Sequence, residues 1–290
     1  VIASPWWDGW RRLRQHRLAV VAAGLLAVIV VACVVGPWLA AEFGLDATTI
    51  DTSAGALPPS PRHWLGTDPL GRDMLVRVLI GGRIALMVAV VATSVALVIG
   101  VSYGAIAAYA GGWVDYAMMR VVDVLYGLPT VAFIIVVMAV LGTRSLAVLF
   151  ALVGAISWLT MARIVRGQVL GLRGREFVEA ARALGASPAR ILFRHVIPNT
   201  AGTVTVYATL ALPSVMLTEA FLSYLGLGVQ APLASWGTLV TEGSSQILVY
   251  PWLLIGPGGV MAVTVIALNF LGDGLRDALD PRTRPLAPGR

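Results

Sequence analysis

Residues 18–41, LAVVAAGLLAVIVVACVVGPWLAA, carry no charged side chain. A helix rises about 1.5 Å per residue, so roughly 20 apolar residues cross a hydrocarbon core about 30 Å thick, and this stretch is long enough. It is longer than the roughly 7 to 15 apolar residues of a cleaved signal, and no clear small-x-small site follows it, so it is expected to remain as an anchor. Working outward, five further stretches read as spans: 84–109, 117–141, 145–164, 200–223 and 252–271. Composition agrees. The chain is 58% hydrophobic and 12% charged, with mean hydropathy +0.84, whereas soluble domains carry about a quarter charged residues. Lipid is the expected solvent, and the fold class is an all-α integral membrane protein with six transmembrane helices.

Arginine-rich flanks are retained on the cytoplasmic side. The first flank holds Arg11, Arg12, Arg14 and Arg17. The segment between the fourth and fifth spans holds Arg163, Arg166, Arg173, Arg175, Arg182, Arg190 and Arg194 against Glu176 and Glu179, and the tail holds Arg276, Arg282, Arg284 and Arg290. Both termini are therefore expected in the cytoplasm. On the opposite side, Arg62, Arg72, Arg77 and Arg83 are outnumbered by Glu42, Asp46, Asp51, Asp68 and Asp73. The 226–250 loop, with Glu242 as its one charge and with Pro232 and Trp236, is expected to lie as an interfacial segment. The chain divides into 1–83 (cytoplasmic N-terminus, first span and extracytoplasmic segment), an 84–272 core of five helices, and a 273–290 cytoplasmic tail.

Within the spans, Gly100 and Gly104 form a G-x-x-x-G step suited to close helix approach. Pro129, Pro213 and Pro257 each remove a backbone donor, so kinks or local unwinding are expected there. Arg120 and Asp123, spaced i to i+3, are expected to neutralise each other. Glu219 lies near the outer end of the fifth span, where an ionised carboxylate must face protein or water. It is a candidate for the translocation path, against a structural role with a neighbouring helix or loop.

Several chemistries are excluded. The sequence contains no lysine, so it supplies neither the lysine of a phosphate-binding P-loop nor a Schiff-base amine, and any ATP dependence belongs to a partner. The single cysteine, Cys33, rules out a disulfide framework and reads as a buried small hydrophobe. His16, His63 and His195 lie far apart without ligating neighbours, so no metal site is expected. The arginines flank hydrophobic spans instead of forming a basic face with interleaved aromatics, which argues against nucleic acid. A serine peptidase built from His195 with Ser244 or Ser245 would need its base and nucleophile on opposite sides of the membrane. A secondary transporter would need an ion-coupled site, and acids within the spans are sparse.

The segment from 165 to 198 is the most informative. Glu176–Leu184 is rich in helix formers and should end at Gly185, suited to a left-handed cap. Ser187 and Pro188 suit the N-cap and first position of a second short helix. The pattern Glu179-Ala180-Ala181, then Gly185, then His195-Val196-Ile197-Pro198 resembles the EAA loop of permease subunits in ATP-binding-cassette importers. The resemblance implies a coupling helix, carried by Glu179, Ala180, Ala181, Arg182, Gly185, Ser187, Pro188 and Pro198, that docks in an ATPase subunit. The position held by His195 is more often aliphatic in the general pattern. Further matches cover nearly the whole chain: HWLGTDPLGRD at 63–73, TEAFLSYLGLG at 218–228 and NFLGDGLRDALDPR at 269–282. They resemble the C-type permease of the dipeptide, oligopeptide and nickel group.

That resemblance implies the type I importer permease fold in a bacterial inner membrane, with no catalytic residue and no cofactor on this chain. ATP and Mg would be used by two partner ATPase subunits. A homologous B-type permease would complete the path, and membrane lipid would surround the pair. An extracytoplasmic binding protein would deliver peptide to an outer face carrying Asp68, Arg72, Asp73 and Trp236. Nickel or another metal complex is the alternative cargo.

Overall fold

The computed structural model describes residues 5–45, 50, 55–142 and 145–279. Asp46, Asp51, Arg282, Arg284, Arg290 and the tail from 280 lie outside the described residues. Among the described residues the structure is helical, with one isolated bridge between Thr67 and Asp73. The helices are α1 (Pro5–Gln15), α2 (Arg17–Glu42), α3 (Met74–Ala110), α4 (Gly112–Tyr126), α5 (Thr130–Leu141), α6 (Leu146–Leu172), α7 (Glu176–Ala183), α8 (Pro188–Ile191), α9 (Ile197–Tyr224), α10 (Trp236–Ser244) and α11 (Trp252–Leu279), with a π-helical turn at Leu192–Val196. Five helices, α2, α3, α6, α9 and α11, are long and apolar enough to cross a membrane. The α4–α5 pair supplies a sixth span if taken together.

The third span differs from the continuous helix expected over 117–141. It is broken between Tyr126 and Thr130, and the two halves meet at 83°. Pro129 takes the N-cap position of α5 with extended backbone. A proline lacks the amide a continuing ladder needs and disfavours helix in the residue before it. By contrast, α9 and α11 run on through Pro213 and Pro257. The second span begins at Met74, ten residues before the expected start at Ile84. Asp73 caps it by accepting from the Val76 amide at 3.0 Å, and Arg77, whose charge hides this turn from a hydropathy reading, is neutralised by ion pairs.

α3 and α6 pack along most of their lengths, and the glycine step explains how they come so close. A Cβ on Gly104 would run into the Ala162 carbonyl, and one on Gly100 would lie 2.7 Å from Met161 Cβ and 2.8 Å from the Trp158 carbonyl oxygen. The main core gathers Val88 and Ala92 of α3, Val153 of α6, Met216 of α9 and Trp236 of α10. A smaller core at one end of the bundle joins Ala105 and Ala108 of α3, Val165 and Val169 of α6, Val178 of α7 and Ile191 of α8. Exposed apolar side chains such as Val28, Val98, Val140 and Ile255 cover the outside, as a chain solvated by lipid requires.

The 226–250 region is only partly the surface segment expected: its helix packs into the bundle, while Leu233, Leu248 and Val249 stay exposed. Its helix α10 is started by a reciprocal cap, with Ser235 Oγ accepting from the Thr238 amide and Thr238 Oγ1 accepting from the Ser235 amide at 2.7 Å. The helix is tucked against α3, α9 and α11. Trp236 is 0% exposed and donates its indole N–H to the Val78 carbonyl at 2.8 Å. That single side chain fixes α10 inside the bundle, because removing so large an apolar group from the core would undo both the packing and the hydrogen bond.

Candidate functional site

At the end of the bundle holding the smaller core, α7 and α8 project as a knob between α6 and α9. The local sequence dictates its shape. At the end of α7, Gly185 takes φ +77°; its amide bonds the Arg182 carbonyl at 2.9 Å, and the Ala186 amide bonds the Ala181 carbonyl at 3.0 Å. This pair is a complete Schellman cap, which needs the left-handed residue that only glycine supplies without strain. Ser187 then accepts from the Arg190 amide at 3.4 Å, and Pro188 opens α8.

The expected second short helix is not separate. α8 passes through the π turn directly into α9, with the Ile197 amide donating to the Leu192 carbonyl five residues back. Pro198 has no amide to give to the carbonyl of Arg194, and Asn199 instead donates its side-chain amide to the His195 carbonyl at 2.6 Å. The wide turn absorbs that interruption without ending the helix. Val178, Ile191, Leu192 and Val196 are buried against α3 and α6. Opposite them, Glu179, Ala180, Arg182 and Pro188 are exposed, as are Phe177, Leu184 at 88% and Phe193 at 61%. The knob therefore has a buried root continuous with a span, and it exposes both large apolar and charged side chains. Exposed clusters of large apolar side chains of this kind mark interaction surfaces.

Around the knob the arginines hold other helices. Arg166 makes a bidentate pair with Asp115 at 2.6 and 2.7 Å. Arg163 pairs with Asp123 at 2.8 Å and lies 4.2 Å from the Tyr126 ring centroid. Arg173 donates to the Ala108 carbonyl at 3.1 Å, near the end of α3. The expected Arg120–Asp123 pair is replaced, because Asp123 turns to Arg163 and Arg120 to the Tyr116 hydroxyl at 3.0 Å. Sequence spacing along one helix could not reveal these cross-helix partners. Two acids on the third span matched by two arginines on the fourth were the signal available.

At the opposite end, the 63–73 segment is a clasp. Asp68 accepts from the amides of Leu70 and Arg72, from Arg72 Nε at 2.7 Å and from Arg77 Nη1 at 2.7 Å. Arg77 reaches on to Glu242 of α10 at 3.0 Å, and Asp73 Oδ2 lies 2.8 Å from His63 Nδ1. Asp68, Asp73 and Trp236, expected at an exposed docking face, are instead buried, at 2%, 3% and 0% exposed, and Arg72 is drawn in by Asp68. Every carboxylate oxygen of Asp68 and Asp73 is paired within the clasp.

Glu219 is 1% exposed, and its Oε1 accepts from Ser223 Oγ at 2.9 Å and Ser235 Oγ at 2.6 Å. It ties α9 to the start of α10 and faces protein, as its cost in lipid demands. It lines none of the cavities described below.

The fold is similar to that of a chain in the inward-facing MetNI methionine ABC transporter, with a TM-score of 0.56 and 17% identity over 70% of this chain and 96% of that one. Spans, interposed knob and this likeness together define the all-helical membrane fold found in an ABC importer. The chain belongs to the family of binding-protein-dependent transport system inner membrane components, which matches residues 96–285, while residues 4–59 match the N-terminal transmembrane domain of oligopeptide transport permease C. It is 46% identical to the oligopeptide transport system permease protein OppC of Escherichia coli K12, over 97% of this chain and 92% of that protein. It is 43% identical both to OppC of Bacillus subtilis, over 97% and 91%, and to the dipeptide transport system permease protein DppC of the same organism, over 96% and 86%.

Proposed function

We propose that this chain is the C-type permease of an ATP-driven importer of dipeptides and oligopeptides. The knob docks in an ATPase subunit, a homologous permease completes the path, and a binding protein delivers peptide to the far side. The observation that carries the coupling step is the knob itself: exposed Phe177, Leu184 and Phe193 on a pair of short helices, the second of which, α8, runs unbroken into α9. A force applied at the tip is passed to a span, since packed helices move as rigid pieces. The peptide cargo is supported by the names of relatives matched over nearly the full chain. The arginine-rich end, which also gathers α1 and the end of α11, faces the cytoplasm by charge.

The test is co-purification of the tagged chain from its membrane, with ATP hydrolysis measured with and without peptide-loaded binding protein. Recovery of a second permease and ATPases, with hydrolysis stimulated by the loaded binding protein, is the expected result. Leu184→Asp, at a side chain 88% exposed, is expected to cut the recovered ATPase and the stimulated rate at least tenfold while the permease pair stays intact. Full stimulation in that variant would remove the tip from the coupling role.

A further inference from the structure

At the middle of α3, α6 and α9 lies a cavity of about 260 Å³ whose walls include Thr93, Ser157, Thr160, Tyr207 and Ser214. A second, of about 240 Å³, shares Ser157, Thr160 and Ser214 and adds Thr130 and Thr218. A third, a more open depression of about 460 Å³, shares Ser214 and Thr218 and adds Asn269. Three cavities thus meet at Ser214, at mid-depth of the longest spans. Their linings include hydroxyls and an amide and contain no acidic or basic side chain.

Two of these hydroxyls are already committed as donors. Ser157 donates its proton to the Val153 carbonyl and Thr218 to the Ser214 carbonyl, both at 2.8 Å. With their protons committed to their own helices, these oxygens have lone pairs left to accept. Among the described residues, Thr93 Oγ1 is the buried side-chain polar atom with no hydrogen-bond partner, on a residue 5% exposed. A buried hydroxyl left unpaired is costly, and a lipid tail offers it nothing.

We propose that Thr93, Ser157, Thr160 and Ser214 form a neutral acceptor site for the backbone N–H groups of the peptide in transit. This rests on the peptide-permease reading. The backbone N–H recurs at every peptide bond except those to proline, and a lining without charge neither selects nor rejects charged side chains. Several weak acceptors in adjoining cavities also suit a cargo that must enter and leave.

The test uses the complete transporter in proteoliposomes with its binding protein, and reads peptide accumulated per ATP hydrolysed for trialanine. The triple variant Thr93→Val, Ser157→Ala, Ser214→Ala is expected to lower this ratio about fivefold, the weight of roughly one hydrogen bond lost in the path. Thr93→Ser, which keeps the hydroxyl, should stay within twofold of the wild type while Thr93→Val does not. Thermal unfolding midpoints of all variants identify any that fail to fold, and the two single Thr93 variants carry the test if the triple one does. Equal ratios in Thr93→Val and wild type, or equal losses in Thr93→Val and Thr93→Ser, would overturn the site. No ATP-dependent accumulation of peptide by the wild type would instead overturn the peptide reading beneath it, a result visible before any variant is compared.

Discussion

Glu219 shows what one buried carboxylate does between two helices. Its Oε1 is the acceptor for both Ser223 and Ser235, so Glu219→Ala leaves two hydroxyls to find new partners, at a cost of about 2 kcal/mol. Glu219→Gln keeps a carbonyl oxygen in that place and should cost less than about 1 kcal/mol. The expected outcome in detergent is an unfolding midpoint lowered by roughly 4–8 °C for alanine and by less than half of that for glutamine. Uptake of acidic, neutral and basic peptides should change in parallel in both variants. A selective change for one charge class would return Glu219 to the path. At this scale the sequence showed that Glu219 must be sheltered, because an ionised carboxylate within a span is costly unless protein or water takes it in. It did not show by what, since Ser235 stands 16 residues away in a loop whose course depends on Trp236. Arg120 and Asp123 were misread for the same reason, as helix spacing reveals only neighbours on the same helix.

Among elements, the knob was legible because its signals are local. Glycine at a left-handed cap, serine at an N-cap and proline after it each act within a few residues, and each stands where it was expected. Gly185→Val places a β-branched residue at φ +77°, which costs about 1–2 kcal/mol. Hydrogen exchange at the Ala186 amide is expected to accelerate roughly tenfold or more, with stimulated ATP hydrolysis reduced in proportion. The G-x-x-x-G step was legible too, although its partner α6 was not. Gly104→Leu should force α3 from α6 and destabilise the bundle by at least about 1–3 kcal/mol, read as a lower unfolding midpoint, whereas a substitution at the open Gly24 should shift it little. α10 was not legible. It is short, and what holds it is a tryptophan donating to a carbonyl 158 residues earlier.

For the molecule as a whole, the six hydrophobic stretches correspond to five long apolar helices and one bent pair, since length and apolarity alone decide what can cross a bilayer. They did not give the break in the third. Hydropathy is blind to direction, and α4 and α5 are apolar on both sides of their 83° bend. The α4 half is held to α6 by Asp115–Arg166 and Asp123–Arg163, while α5 leaves Val136 and Val140 outside.

The π turn at Leu192–Val196 sets a phase. A π turn takes up one extra residue locally, so the helix beyond it is spared the roughly 100° turn that the same residue would impose on an α-helix. The α8 root of the knob and the hydroxyls of α9 therefore stand on one axis at a fixed angle. One alanine inserted in α9 before Tyr207 would turn that root by about 100° relative to Tyr207 and Ser214 while leaving Phe177, Leu184 and Phe193 in place. Under the proposed coupling, such a variant is expected to keep its permease pair and to lose stimulated hydrolysis at least tenfold, read as ATP turnover with peptide-loaded binding protein.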